Sequence, residues 1–319
     1  MILELYSFLD NKRILYEKDL SLSNKTWIKT GGICACWIAP VSVAQLTEVC
    51  RYLYSNHIAF DLIGQTSNIF FHSTYNPQVV VSTVKVSNYE IKDDIIICDC
   101  GVSVIKLAKD CLAKGYAGFY GLVGLPGTVA SAAVNNASCF NCSISSMLIS
   151  ADLLILNGKV LTIEKNDFLY SHRSSAFKRG EKKGVILSVK LKAEKADDIE
   201  VEYRKSEETK IYRKKKQEGP NRNLGSVFSI LKRKQNFKNQ IAAIFTKITK
   251  LFRVSNPKRV NKQLLLWLYG YSVLSRYISD KNINTFIWKD SEAEIYFEKY
   301  KEFMGKVYKN PIMEVEERK

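Results

Sequence analysis

Long apolar runs are missing from this 319-residue sequence. None approaches the roughly 20 residues that a membrane helix needs, so no membrane partner is expected. The opening residues, Met1-Ile2-Leu3-Glu4-Leu5-Tyr6, carry an acid where a secretory leader carries bases, and no small-residue cleavage site follows. The chain therefore reads as cytoplasmic. Internal repeats and low-complexity tracts are also missing. Histidine is scarce: three scattered residues, with no carboxylates at ligand spacing, give no expected metal site. His57 and His72 read as structural. Cysteine is plentiful at eight, but only Cys139-Phe-Asn-Cys142 has CxxC spacing, and the second pair that a zinc site needs is absent. Buried free thiols fit better than disulfides in a chain with no sign of export.

What is present is ample core material, 46% hydrophobic against 25% charged, which excludes a disordered or fibrous protein. The length suits two or three packed domains. The net charge of +16 is lopsided: residues 1–200 contribute +2 and the remainder +14. A cationic C-terminal part suits nucleic acid, an acidic surface or an anionic small substrate, and charge alone does not choose among them.

The first 200 residues alternate short strands and helices. Ser42 is placed to cap a helix whose face is Leu46, Val49, Cys50 and Leu53. Ser103 caps another along Val104, Leu107, Ala108, Cys111 and Leu112, stopped at Gly115. Strands are expected at Ala59–Ile63, Val79–Thr83, Ile95–Cys100 and Gly184–Ala193, and Asn157-Gly158 signals a hairpin. Strands mixed with helices and a hairpin indicate α+β rather than a doubly wound sheet. The composition changes near residue 195, and a domain boundary is placed between about 194 and 218. Beyond it lie a charged helix at Asp197–Gln217, broken at Gly219-Pro220-Asn221, and a stripe of Phe237, Ile241, Ile244, Phe245, Ile248, Leu251 and Phe252. A helix at Lys262–Tyr277, a strand at Asn282–Trp288, a helix at Ser291–Gly305 and a strand at Ile312–Glu317 follow. Much of the basic charge reads as the solvated back of amphipathic helices, and Arg213-Lys-Lys-Lys216 as an exposed helix end.

The most unusual stretch is Gly115-Tyr-Ala-Gly118-Phe-Tyr-Gly121-Leu-Val-Gly124-Leu-Pro-Gly127-Thr128, with a glycine at every third position. Such a loop lets backbone approach a phosphate, and a helix starting after Thr128 would point free N–H groups at it. An ordinary loop of left-handed turns explains the glycines equally well. The pattern is neither a dinucleotide GxGxxG nor a P-loop, which excludes those readings. Lys29-Thr30-Gly31-Gly32 and Gly64-Gln65-Thr66-Ser67-Asn68 have the same donor-rich character.

In this order, Thr30-Gly31-Gly32, Gly64-x-x-Ser67-Asn68 and Gly124-Leu-Pro126-Gly127-Thr128-Val129 resemble the FAD-binding half of UDP-N-acetylenolpyruvoylglucosamine reductases, also called UDP-N-acetylmuramate dehydrogenases. Asn135-Asn136-Ala137, Tyr170-Ser-His172-Arg173-Ser174-Ser175-Ala-Phe177 and Gly225-Ser226-Val227-Phe228 continue the likeness. It weakens toward the end, through Leu268-Tyr-Gly270, Ser279-Asp-Lys281, Asn284 and Met313-Glu314-Val315-Glu316. Departures stand at Ala130-Ser131 and Leu274-Ser275 in place of paired glycines, at Ser229-Ile230-Leu231 in place of Lys-Asn-Pro, and at His172 in place of tyrosine.

The resemblance implies a two-subdomain FAD-binding module of the PCMH/vanillyl-alcohol-oxidase type over residues 1–195, split near 83, and a smaller basic α+β substrate-binding domain over 196–319. It also implies FAD as cofactor, NADPH as co-substrate and a UDP-linked enolpyruvyl sugar as substrate, handled by a monomer. FAD would lie against Thr30, Gly31, Gly32, Gly64, Gln65, Thr66, Ser67, Asn68, Gly124, Pro126, Gly127 and Thr128. Hydride addition to the enolpyruvyl double bond builds negative charge that needs a cation and a proton donor. By resemblance Arg173 is the cation, Ser226 the donor and Glu316 the residue that assists, with Glu314 on the same strand face as the alternative. His172, Lys281 and Asn284 would contact substrate. Two other readings stay open: a divergent flavoprotein of this fold acting on another sugar for surface polysaccharide, and a flavin-free nucleic-acid-binding protein. The second lacks interleaved exposed aromatics and a helix-turn-helix signal, so no nucleic acid is expected.

Overall fold

The computed structural model describes residues 2–219, 222–229, 231–252 and 255–319. Pro220 and Asn221 of the expected break, and Ile230, lie outside the described residues. The chain forms two compact units. The first comprises Met1–Asn24, Gly32–Thr66 and Tyr75–Lys210; the second comprises Lys25–Gly31, Ser67–Thr74 and Ile211–Lys319. Helix and strand are mixed in both, an α+β composition.

In the first unit, Tyr16–Ser21, Ile33–Ile38, Val79–Ser82 and Asp61–Ile63 form a four-stranded sheet in that order. Ile33–Ile38 runs antiparallel to Tyr16–Ser21 and parallel to Val79–Ser82. The helix Val43–Ser55 packs here because its expected apolar face is buried, each aliphatic side chain contributing about 1.5–3 kcal/mol. Ser42 caps it by accepting the Gln45 N–H at 3.2 Å. A second, five-stranded antiparallel sheet has the order Val160–Glu164, Leu148–Leu154, Val185–Lys192, Ile95–Asp99, Tyr89–Lys92. Helix Val104–Ala113 buries its expected face in the core of that sheet, capped by Ser103 and followed by Gly115 at φ 81°. The Asn157-Gly158 turn joins the paired strands Leu148–Leu154 and Val160–Glu164.

The second unit is built on helices Phe237–Leu251, Pro257–Tyr269 and Ala293–Val307 around an aromatic core. Phe286 lies 4.8 Å from Trp288, 5.2 Å from Phe297 and 5.3 Å from Tyr300, mostly in edge or tilted contact. Three sequence expectations change here. The helix expected to run to Tyr277 stops at Tyr269, because Gly270 adopts a left-handed cap at φ 79°, and a short 3-10 turn Ser272–Arg276 follows. The strand expected at Asn282–Trp288 does not form: the Thr285 N–H turns back to the Asn282 carbonyl, and only isolated bridges remain. The strand expected at Ile312–Glu317 splits into Ile312–Met313 and Glu316–Arg318, which pair with Phe228–Ser229 and, in parallel, Ile69–Phe71.

None of the eight cysteines is in a disulfide, and seven are buried. Burial pushes the Cys34 thiol up to about 11, and the Cys36 and Cys50 thiols up to about 12.

Candidate functional site

Two loops that lie 62 residues apart in sequence meet in the first unit. The Gly127 N–H donates to Gln65 Oε1 at 2.9 Å, while the Gly127 carbonyl accepts from the Val104 N–H at 3.0 Å. Gly127 sits at φ 133°, where a side chain is strained. A Cβ on Gly64 would lie 2.8 Å from Thr128 Oγ1. That hydroxyl cannot swing aside at no cost, since Thr128 and Ser131 form a capping box on helix Val129–Val134. Thr66 closes the first loop, buried and left-handed at φ 55°, and Gly124 ends a 3-10 turn just ahead of half-buried Pro126.

The expected helix after Thr128 is present, but its N–H groups are not free. Val129 donates to Val102, Ala130 to Cys100, Ser131 to the Thr128 hydroxyl and Thr128 to the Ser131 hydroxyl. The helix end therefore has none of these N–H groups left to offer a phosphate. Ala130 and Ser131, which replace paired glycines, are themselves part of this closure. Gly121 is explained by packing: a Cβ there would lie 2.3 Å from the Cys139 carbonyl, in the two-residue hairpin that pairs Cys139 with Cys142.

The loop of Thr30 and Gly31 belongs to the second unit. Thr26 Oγ1 donates to the Thr30 carbonyl at 2.8 Å and accepts the Thr30 N–H at 3.0 Å, and Gly31 follows at φ 115°. Sequence reasoning passed over Thr26, whose buried hydroxyl builds this loop. Gly32 opens the next strand of the first unit, accepting the Leu22 N–H at 2.9 Å. Thr30 Oγ1, and in the first unit Asn135 Oδ1, are buried oxygens without a hydrogen-bond partner. Each costs about 1–3 kcal/mol unless a bound group satisfies it. Within the first unit, the hydroxyls and amides of a flavin dinucleotide fit the need of Asn135 Oδ1.

Arg173 lies in a tight turn of the first unit in which Ser171 and Ser174 exchange N–H···O bonds of 3.0 and 3.1 Å. Its φ of 54° is left-handed, an arrangement that costs about 1–3 kcal/mol and clusters at functional sites. Asn136 ties this turn to the end of helix Val129–Val134, donating from Nδ2 to the Ser171 carbonyl at 2.7 Å and accepting the Ser145 hydroxyl at 2.5 Å. Two sequence motifs 35 residues apart are thus one local structure. His172 is exposed at the turn's tip. The Tyr170 hydroxyl beneath is buried without a partner, and burial raises its pKa.

Ser226 lies exposed in the second unit, after Gly225 at φ 71°. The strand it opens is clamped by Asn284. The Phe228 N–H donates to Asn284 Oδ1 at 3.0 Å, Asn284 Nδ2 donates to the Phe228 carbonyl at 2.7 Å, and the Asn284 carbonyl accepts the Val227 N–H at 2.9 Å. The Asn284 amide is therefore engaged with backbone, a positioning arrangement. Lys281 Nζ is likewise engaged, donating to the Lys214 and Gln217 carbonyls at 3.1 Å each. The C-terminal segment joins the remaining parts. The Glu314 N–H donates to the Val227 carbonyl at 2.8 Å and the Glu316 N–H to the Asn68 carbonyl at 3.0 Å. Asn68 Nδ2 returns a bond to the Glu314 carbonyl at 2.9 Å. Ser67 precedes Asn68 in the same loop. Leu274 places its extra bulk fully in the aromatic core, and the Ser275 carbonyl accepts from Lys262 Nζ at 3.0 Å.

One group was not foreseen. Ligand atoms of His72, Glu298 and Glu317 lie within 4.8 Å of one another. Lys301 Nζ already bridges both carboxylates, at 2.8 and 2.6 Å, so the cation position is taken by an ammonium. His72 sits between Glu294 and Glu317 at 2.8 and 3.2 Å.

Comparison with known proteins places these features. A family model described as an FAD binding domain matches residues 34–164, the span holding the Gly64–Thr66 and Gly124–Thr128 loops. The UDP-N-acetylenolpyruvoylglucosamine reductase of Caldicellulosiruptor bescii is 28% identical over 227 residues, 71% of this chain and 72% of its own. That of Thermosipho melanesiensis is 30% identical over 201 residues, 63% and 66% of the two chains. A protein named UDP-N-acetylenolpyruvoylglucosamine reductase 2, from Bacillus cereus, is 26% identical over 212 residues, 66% and 68%. Among solved structures, UDP-N-acetylenolpyruvylglucosamine reductase from Thermus caldophilus shares the fold at a TM-score of 0.66 and 15% identity, over 96% of this chain and 99% of its own. The fold is thus that of the Thermus caldophilus reductase, with an FAD binding domain over residues 34–164 and mixed helix and strand. On these relatives and this fold, the chain belongs to the UDP-N-acetylenolpyruvoylglucosamine reductase family.

Proposed function

We propose that the protein catalyses the FAD-dependent, NADPH-using reduction of UDP-N-acetylglucosamine enolpyruvate to UDP-N-acetylmuramate, a step of peptidoglycan precursor synthesis. The observation that carries this reading is the retention, in a chain of this family, of an arginine, a serine and a glutamate at the motif positions, each on a braced element. Bound FAD supplies the hydride, drawn from NADPH, that adds to the enolpyruvyl double bond.

The chain's own residues handle the charge and the proton. Arg173, presented by a strained turn, counters the negative charge that builds on the enolpyruvyl carboxylate through charge-assisted hydrogen bonds. Ser226, exposed beside a clamped strand, donates the proton from Oγ to the carbon that becomes carbanionic. Glu316 assists from the C-terminal segment whose N–H groups bond Val227 and Asn68. Asn284 positions Ser226 by fixing Phe228 on both sides. The +14 carried beyond residue 200 suits a substrate bearing a diphosphate and a carboxylate. Of the departures from the family pattern, Ser131 is taken up in capping, Ala130 and Ser275 in backbone hydrogen bonds and Leu274 in packing, which favours the family substrate over another sugar. Eight cysteines outside any disulfide suit the cytoplasm, and we take the enzyme to act there as a monomer.

The test is an anaerobic absorption titration. Bleaching by NADPH followed by recovery on adding the UDP-linked enolpyruvyl sugar establishes the reductase; bleaching without recovery assigns a different acceptor. Ser226→Ala should leave bleaching intact and slow recovery by about 10²–10⁴-fold. Equal slowing of both halves refutes the proton-donor role.

A further inference from the structure

Helix Phe237–Leu251 is amphipathic in the reverse sense. Its buried face is polar or small: Asn239, Ala242 and Thr249 are buried, and Thr246 donates to Asn261 Oδ1 at 2.9 Å on the neighbouring helix. Asn239 Nδ2 bonds the Lys234 and Val307 carbonyls at 2.8 and 2.9 Å, which anchors that face. The opposite face is apolar and open. Phe237, Ile244, Phe245, Ile248, Leu251 and Phe252 are all exposed, the first at 75% and the last two at 78% and 75%. The Phe252 N–H still bonds the Ile248 carbonyl, so the stripe continues past the helix end. At 3.6 residues per turn the six fall within an arc of about 120°. Lys238 and Lys247, both exposed, stand at the two borders of that arc. Exposed Trp267 adds apolar surface on the helix that follows. Single exposed apolar residues need no explanation, but a contiguous stripe of this size marks a surface built to be covered.

Charge decides what covers it. From Gly219 to Ser279 the sequence has no aspartate or glutamate and 12 lysines and arginines. A second copy docking face to face would oppose two acid-free basic segments, so self-association is disfavoured. An anionic cover is required, and flexible phenylalanine, isoleucine and leucine side chains flanked by lysines suit lipid chains below anionic headgroups. We propose that this helix lies in the plane of an anionic bilayer surface and holds the enzyme there peripherally. This differs from a membrane span, since among the described residues no helix is long and apolar enough to cross.

The experiment is flotation of the full-length protein with phosphatidylglycerol–phosphatidylcholine vesicles and with phosphatidylcholine alone. The protein should float with the first and remain below with the second. Lys238→Glu combined with Lys247→Glu should lower the vesicle partition by at least about thirtyfold. Phe245→Gln with Ile248→Gln and Leu251→Gln should abolish flotation while leaving the melting temperature unchanged, since all three side chains are exposed. No flotation with anionic vesicles, or flotation that survives the triple substitution, overturns the proposal. So does preferential binding to polyglutamate, which would assign the face to an acidic protein. A dimer by light scattering that the triple substitution dissolves, without lipid binding, would assign it to a second copy and overturn the proposal as well.

Discussion

Replacing Asn284 by alanine tests whether Ser226, the proposed proton donor, depends on a clamp two residues along the chain. The amide is 8% exposed and makes two hydrogen bonds to Phe228, of 3.0 and 2.7 Å. Alanine deletes both and leaves a buried N–H and carbonyl unpaired, at about 1–3 kcal/mol each. A loss of about 2–6 kcal/mol should lower the melting temperature by roughly 10 °C for a unit of this size. Because Ser226 stands next to Val227 and Phe228, recovery of the bleached flavin by the sugar should slow, while bleaching by NADPH stays near that of the parent. Asn284→Asp sharpens the test. Its carboxylate would keep the acceptor toward the Phe228 N–H but face the Phe228 carbonyl where a donor stood. The protonated acid restores the donor, so the folded state raises this pKa, and the variant should lose stability as pH rises through that raised value. Melting curves across the acid range read the effect directly. An alanine variant that melts with the parent and recovers at the parent's rate refutes the clamp.

Two further outcomes follow from packing and charge. Gly121→Ala places a Cβ 2.3 Å from the Cys139 carbonyl and 3.0 Å from Cys142 Sγ, and should cost about 3 kcal/mol or more by urea denaturation. Gly118→Ala, with nothing within 4 Å, should cost only the left-handed strain of about 1–2 kcal/mol. At Glu317, burial alone would raise the carboxyl, but hydrogen bonds and charge from Lys301, with His72 and Lys319, outweigh it and hold the pKa below 4.5. That stability is present above pH 4.5 and is lost as pH falls through the lowered value. Lys301→Met should move the onset of acid destabilisation to higher pH, read as melting temperature from neutral to acid pH. An unchanged onset would show that the ammonium is not what holds the carboxylate.

Local signals in the sequence carried the first unit well. Capping serines and threonine at 42, 103 and 128, the Asn157-Gly158 turn and the buried faces of two helices all depend on neighbours within a few residues, so short-range chemistry decides them. The five regularly spaced glycines misled in part. Gly121 exists because a distant hairpin passes against it, and the helix after Thr128 has its N–H groups closed by Val102 and Cys100. Both facts depend on tertiary approach. The second unit was less legible for a similar reason. Phe286 and Trp288 alternate like a strand, but their rings are drawn into an aromatic core by Phe297 and Tyr300, and the backbone turns at Asn282. The apolar stripe from Phe237 was correctly seen as helical; which way it faced was settled by Asn239 reaching Val307. In the site, order along the chain revealed the motifs, whereas the bracing of the Ser171–Ser174 turn by Asn136 required the fold.

The parallel pairing of Glu316–Arg318 with Ile69–Phe71 bears on how the chain is made. Residues 25–31 and 67–74 lie between stretches of the first unit in sequence and emerge from the ribosome early, yet the rest of their own unit is the last hundred or so residues. At about 5–20 residues per second, the strand at Ile69 waits roughly 12–50 s for its neighbour. During that interval Phe70, later buried in the aromatic core of the second unit, has no such core to enter. Until then the early strand lacks the neighbour it has in the finished fold. Slowing translation beyond residue 211 should lengthen this exposure without changing any contact in the finished molecule.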